Sequence, residues 1–288
     1  MTTFTLSYTG SEASHAEIDF YDAARAMLGF QRSLALAVHL VQNGEIITQA
    51  TSLKNGRILA LPPRQGSWEI IAGAIFTAAG GMALAPKDSV AGHLARSIYD
   101  YILNATLGID VDFDSTIRLQ HEGLIADRKI TESKLDSLLE KTQPAIVDMH
   151  RPIVFSESAR RARIRFGSDK DHTVGPPLTP VTYEHATVTK KLKMPQGFEG
   201  IISSYNSNTF KGRIYLLNER RPVSFELADT ARDQDSLRRI AASLTENVVY
   251  RGNYQGQLAI KAFRHEGSTG ILKSLYVVQV ADDLSSLG

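Results

Sequence analysis

Phe4, Leu6 and Tyr8 alternate with polar residues and stop at Gly10, the period-two pattern of a half-buried strand. Ser14 and Glu17 then stand at capping-box spacing. Ala24, Met27, Leu28, Leu34, Ala35, Val38 and Val41 recur at helical spacing up to a stop at Asn43-Gly44. Two short strands are expected next, around Ile46–Leu53 and Arg57–Leu61. Pro62-Pro63 and the turn at "RQG" close them.

The stretch "WEIIAGAIFTAAGGMALAP", Trp68 to Pro86, carries no charge between Glu69 and Lys87. Trp68 and Ile70 would share a strand face, and alanine and glycine then take over. Gly73, Thr77 and Gly81 are four apart, which predicts a helix over 70–85 with one small face suited to close packing. A bilayer takes about 20 apolar residues, and Ile70 to Ala85 supplies sixteen. A helix buried in a globular domain is therefore expected. Membrane action by this Ala/Gly-rich helix, paired with the next one, is an alternative.

Val90 to Leu107 reads as a helix ended by Gly108, and Thr131 to Met149 as another, kinked or divided by Pro144. In "SARRARIRF", Arg161, Arg163 and Arg165 alternate with Ala162, Ile164 and Phe166, so a strand would put three guanidinium groups on one face. Residues 167–195 are rich in proline, threonine and charge and read as a linker. Beyond it come strands at "GFEGIISSYN", "TFKGRIYLLN" and "RPVSFEL", a helix over Asp235–Asn247, and strands at "QLAIKAFRH" and "ILKSLYVVQV". Five strands and one helix match the count of a small barrel of the oligonucleotide-binding (OB) type. The expected class is α+β: a helix-packed sheet domain over residues 1–166, a linker over 167–195, and a small OB-like β-barrel domain with one helix over 196–288.

Composition adds exclusions. In 288 residues, 32 basic groups face 31 acidic ones, so any anion binding must come from a local patch. Cysteine is absent, which rules out disulfides and thiolate metal sites and suits a cytoplasmic location. The start, "MTTFTLSYTGSEASH", has no basic region followed by an apolar run, so no cleaved signal peptide is expected.

Little in the chain announces chemistry. No phosphate-binding glycine motif is present, and "GSTGILKS" reads as a hairpin turn between strands. The eight histidines form no metal-ligand pair, and "DVDFDST" lacks the glycine and glutamate of a calcium loop. No nucleophile elbow exists, although a serine, a histidine and an aspartate could still meet in space. No cofactor or metal is expected. The arginine strand is the strongest candidate for an anion site, with an internal carboxylate answer from "DVDFDST", Asp136 or Glu140 as the competing reading. Lys190, Lys191 and Lys193 form a second basic set just before the barrel, and residues 190–288 together hold roughly fourteen basic and ten acidic groups. The sequence thus points to a non-enzymatic binding protein, a component of a larger bacterial assembly whose partner is another protein or a second copy. Nucleic-acid binding through the barrel and the arginines is the alternative; a membrane partner is not expected.

Overall fold

The computed structural model describes residues 2–47, 53, 56–61, 68–78, 81–83, 90–109, 111, 113–167, 172–219, 221–250, 255–267, 270 and 272–288. The chain divides into two compact units, Met1–Thr187 and Val188–Gly288.

The N-terminal unit is built on an antiparallel sheet. Its strands are β1 (Thr2–Thr9), β2 (Gly56–Leu61), β3 (Trp68–Ala78), β4 (Gly81–Ala83), β5 (Arg161–Phe166) and β6 (Thr173–Leu178), in the order β2-β3-β1-β5-β6 with β4 paired to β3. Phe4, Leu6 and Tyr8 of β1 are fully buried and share a core with Ala162, Ile164 and Phe166 of β5. The helices are α1 (Phe20–Asn43), α2 (Val90–Thr106), α3 (Leu119–Asp127), α4 (Glu132–Asp148), α5 (Arg151–Val154) and α6 (Pro180–Thr187). Their packing side is marked by Tyr99 of α2, whose ring meets Phe4 edge-on at 5.5 Å and whose hydroxyl sits 2.9 Å from Ser33 Oγ of α1.

The helix expected over 70–85 is not there. Trp68–Ala78 is a strand held between β1 and β2, and β4 follows it. Ile70, Ala72 and Ala74 face one side and Ile71 and Ile75 the other, and all five are buried. A strand covered on both faces reads as an unbroken apolar run, which periodicity cannot tell from a buried helix. The membrane alternative rested on that helix and falls with it. No helix among the described residues is long and apolar enough to cross a membrane.

Helix α1 starts later than the capping box suggested. Its cap is Asp19, which accepts from Asp22 N at 2.9 Å, while Ser11–His15 form a 3-10 turn. Gly44 ends it with φ 66°, a left-handed stop that favours glycine. From Ser33 to Val41 every residue is buried, His39 included. Helix α4, capped by Thr131, runs through Pro144 as one helix. It meets α1 at Gly29, where a Cβ would overlap the Ala145 carbonyl oxygen.

The segment expected as a linker is largely structured. β6 pairs with β5, and α6 carries the buried residues His185 and Ala186 before the division at Thr187/Val188. Pro176 and Pro177 lie on the edge strand β6 and Pro180 opens α6, positions where a missing N–H is tolerated.

The C-terminal unit holds β7 (Lys190–Lys191), β8 (Gln196–Asn206), β9 (Lys211–Leu216), β10 (Arg221–Leu227), α7 (Gln234–Val249), β11 (Gln257–Glu266) and β12 (Leu272–Ala281). The order β12-β10-β9-β8-β11 closes through a β11–β12 pairing, and β10 with β12 is the parallel pair. Three meandering strands, a helix, and two strands that return to close the barrel form the OB-like connectivity. Ile202, Ile214, Val223, Phe225, Leu258, Ile260, Leu275 and Val277 fill the interior, and Ile240 of α7 joins them. The β8–β9 register shifts at Ile202/Ser204, and α7 answers the displaced backbone. Ser243 Oγ accepts from Ile202 N at 3.0 Å, and Asn247 Nδ2 donates to Ile202 O at 3.0 Å.

Two measurements test the N-terminal packing. Gly29→Ala forces α1 and α4 apart and is expected to lower stability by about 1–3 kcal/mol in denaturant unfolding. His150, between α4 and α5, is fully buried. Its Nδ1–H donates to Ile146 O at 2.9 Å, so Nε2 accepts from the Thr182 hydroxyl at 3.0 Å. Burial lowers its pKa from 6.5 to about 4, against the backbone carbonyls of Ile146 and Val147, which raise it. The unfolded chain therefore binds this proton first as the pH falls. The stability from a neutral His150 is complete above pH 6.5 and is lost toward pH 4, a change of about 3 kcal/mol. Unfolding midpoints of His150→Gln, read from about pH 7 to pH 4, are expected to be lower at neutral pH and to lose most of that acid dependence.

Candidate functional site

The arginines of β5 do share one face, opposite Thr5, Ser7 and Thr9 of β1. Their surroundings differ. Arg165 pairs with Glu69, which stands on the next strand but one and has its side chain 6% exposed. The internal answer thus comes from β3 and not from Asp136 or Glu140; Asp110 and Asp112 of "DVDFDST" lie outside the described residues. Arg161 reaches Thr9 Oγ1 at 3.3 Å and is exposed. Arg163 is exposed and meets no carboxylate among the described residues. Among the described residues, Arg161 and Arg163 meet no carboxylate, while Arg165 serves the sheet.

Lys190, Lys191 and Lys193 belong to the C-terminal unit and are all exposed. Lys190 and Lys191 form β7, which pairs with the end of β11 so that Lys191 lies beside His265. That register places Lys191 Nζ 4.4 Å from the Phe263 ring centroid and 4.6 Å from that of Tyr276. Cation–aromatic attraction of this kind holds an ammonium over ring faces. The His265 and Tyr276 rings stack at 6.2 Å with 12° between their planes, and His265 Nδ1 lies 3.3 Å from Ser274 Oγ. Burial lowers the pKa of His265, Lys191 lowers it further, and Glu226 raises it.

These residues lie on the outside of the barrel, out of phase with the core positions Leu258, Ile260, Leu275 and Val277. The same face continues to Ser224 and Glu226 of β10, and then to Lys211 and Tyr215 of β9, with Arg213 between them buried. It is a surface of aromatic rings and cations with one carboxylate in it. Sequence reasoning found Lys191 and missed Phe263, His265 and Tyr276. The signal was present, because alternate residues of "QLAIKAFRH" must point away from the interior once its Leu and Ile point in.

At one end of the barrel, Gln196, Phe198, Glu199, Leu216, Asn218, Glu219 and Arg264 line a pocket of about 230 Å³. Its charges answer one another: Glu219 pairs with Arg221 at 2.9 Å and Arg264 at 3.4 Å, and Arg264 pairs with Glu266 at 2.8 Å. In the N-terminal unit Ser97 Oγ lies 2.9 Å from His121 Nε2, a serine–histidine pair with no carboxylate bonded to the ring among the described residues. Burial, then His93, lowers the pKa of His121. Among the described residues no group of three His, Asp or Glu is placed to hold a metal ion.

Comparison with known proteins adds two matches. Residues 4–180 match the model of a domain of unknown function, DUF7946, and residues 195–281 that of a family of unknown function, DUF7947. No curated protein and no solved structure matches the chain.

The two roles inferred for the β5 face separate in a stability measurement. Glu69→Gln leaves the half-buried Arg165 without its counter-charge and is expected to lower stability by about 1–3 kcal/mol. Arg163→Ala should stay within about 0.5 kcal/mol of the parent. Denaturant titration of both variants reads the difference.

Proposed function

The chain belongs to the DUF7946 family, and we propose that it is a non-enzymatic binding protein of the cytoplasm whose C-terminal barrel holds single-stranded nucleic acid. The observation that carries this reading is the outer barrel face, where Lys191 lies against Phe263 and Tyr276 with His265 stacked beside them. Barrels that bind single strands combine cations tracking the phosphates with rings on which bases stack. Here the exposed Lys190, Lys191, Lys193 and Lys211 supply the cations. Phe263, His265, Tyr276 and Tyr215 supply the rings. Arg161 and Arg163 of the N-terminal unit offer a separate pair of guanidinium groups suited to phosphate. A partly buried His265 with a lowered pKa is neutral at physiological pH and acts as a ring rather than as a charge. A second reading, membership in a larger bacterial assembly, is favoured by apolar side chains exposed along α1.

Fluorescence anisotropy with a labelled single strand of roughly 16 nucleotides tests the first reading, since one such barrel covers about that length at most. Binding should weaken steeply as salt rises. Phe263→Ala together with Tyr276→Ala should weaken it about tenfold or more, because each stacked base contributes about 1–3 kcal/mol. Lys191→Ala should reduce the salt dependence by about one phosphate contact. No binding at low salt, or binding indifferent to the ring substitutions, would remove the reading.

A further inference from the structure

The first half of α1 turns an apolar stripe to the solvent. Phe20 is 87% exposed, Tyr21 63%, Met27 45% and Leu28 56%, with Ala24 exposed between them. Positions 20, 24, 27 and 28 stack along one side of a helix, and 21 adjoins 24 on the same side, in line with 28. The opposite side, Ala23, Ala26 and Phe30, is buried. The stripe continues into a fixed aromatic group. Arg151 lies 5.3 Å from the Tyr21 ring and 4.5 Å from the ring of Phe155, which is 55% exposed. Phe155 meets Tyr183 edge-on at 6.0 Å. At about 200 Å² per aromatic ring, with the aliphatic chains added, the exposed fractions amount to roughly 500–600 Å² of apolar surface. That equals the largest patch found on ordinary monomers, and with a polar rim it approaches the roughly 800 Å² that each partner gives to a standard interface.

We propose that this stripe is a homodimer interface, in which α1 packs antiparallel against α1 of a second copy about a two-fold axis at Ala24. Three features select a second copy. The stripe is self-complementary in size: an antiparallel pair centred on Ala24 sets Phe20 against Leu28 and Tyr21 against Met27, large against medium at both ends. The smallest side chain lies on the axis, where two helices at about 8–10 Å need room. The charges agree as well. Arg25 pairs with Asp148 at 2.9 Å and Arg151 with Asp22 at 2.9 Å, so the flanks demand no foreign counter-ion. A two-fold interface needs such a patch, complementary to itself.

Sedimentation velocity of the full chain over a range of concentration tests this. A species of twice 31.6 kDa is expected at micromolar concentration. Phe20→Glu and Leu28→Lys should each give monomers, because each buries a charge against an apolar side chain at both ends of the interface. Both positions are exposed, so circular dichroism should show the fold retained. An equimolar mixture of the two variants should recover a dimer: one end then pairs glutamate with lysine and the other keeps its native phenylalanine and leucine. A monomeric parent chain overturns the proposal, whether or not it binds lipid vesicles through Phe20. A dimer indifferent to both substitutions, or variants that fail to recover one another, overturns it equally.

Discussion

Asp22 is a carboxylate only 3% exposed, and much of the N-terminal unit is arranged to satisfy it. One oxygen accepts from Arg151 Nε at 2.9 Å and the other from the Ser156 backbone at 3.0 Å. An unpaired charge at that depth would be strongly destabilising, so the start of α1, the short α5 and the turn leading to β5 are obliged to meet at one point. The pairing also decides what lies outside. Arg151, held by Asp22, presents its guanidinium to Tyr21 and Phe155 and keeps those rings in place at the surface. From the same junction the chain enters β5, whose alternation aims Arg161 and Arg163 outward. A buried carboxylate therefore sets the position of both an apolar and a cationic surface.

The barrel follows a different constraint. Closure makes every strand one-sided toward a shared interior, so the outer side is free to vary in chemistry. β11 and β12 spend that freedom on rings, and β7 adds an ammonium over two of them. The bulge at Ile202 shows the limit of the freedom. Where the ladder slips, Ser243 and Asn247 of α7 take over its hydrogen bonds, because buried backbone groups require partners.

The strands and helix of the barrel were legible in the sequence because each strand there is apolar on one face only and is bounded by turn residues. The same reasoning failed at Trp68–Ala78. Ile71 and Ile75 are buried like Ile70 and Ala74, so the alternation that marks a strand is erased. It also treated Ala24, Met27 and Leu28 as equivalent to Leu34 and Val38, since spacing along a helix carries no sign of which side meets the interior. The arginine alternation was legible as a strand. That Glu69 would take Arg165 was not, since the partner stands 96 residues earlier and is joined only by the sheet. Lys191 was singled out for its charge, and its position over Phe263 and Tyr276 depended on a two-residue pairing that no local pattern announces.

The order of strands in the N-terminal sheet has a consequence during synthesis. β1 is made first, yet it lies between β3 and β5, and its β5 neighbour is more than 150 residues away along the chain. At about 5–20 residues per second, Phe4, Leu6 and Tyr8 wait on the order of ten seconds or more for that neighbour to leave the ribosome. During that interval a strand with an apolar face has one edge without its final partner. The chain's exposure to aggregation is thus concentrated in its nascent period, and it ends when Arg161–Phe166 dock.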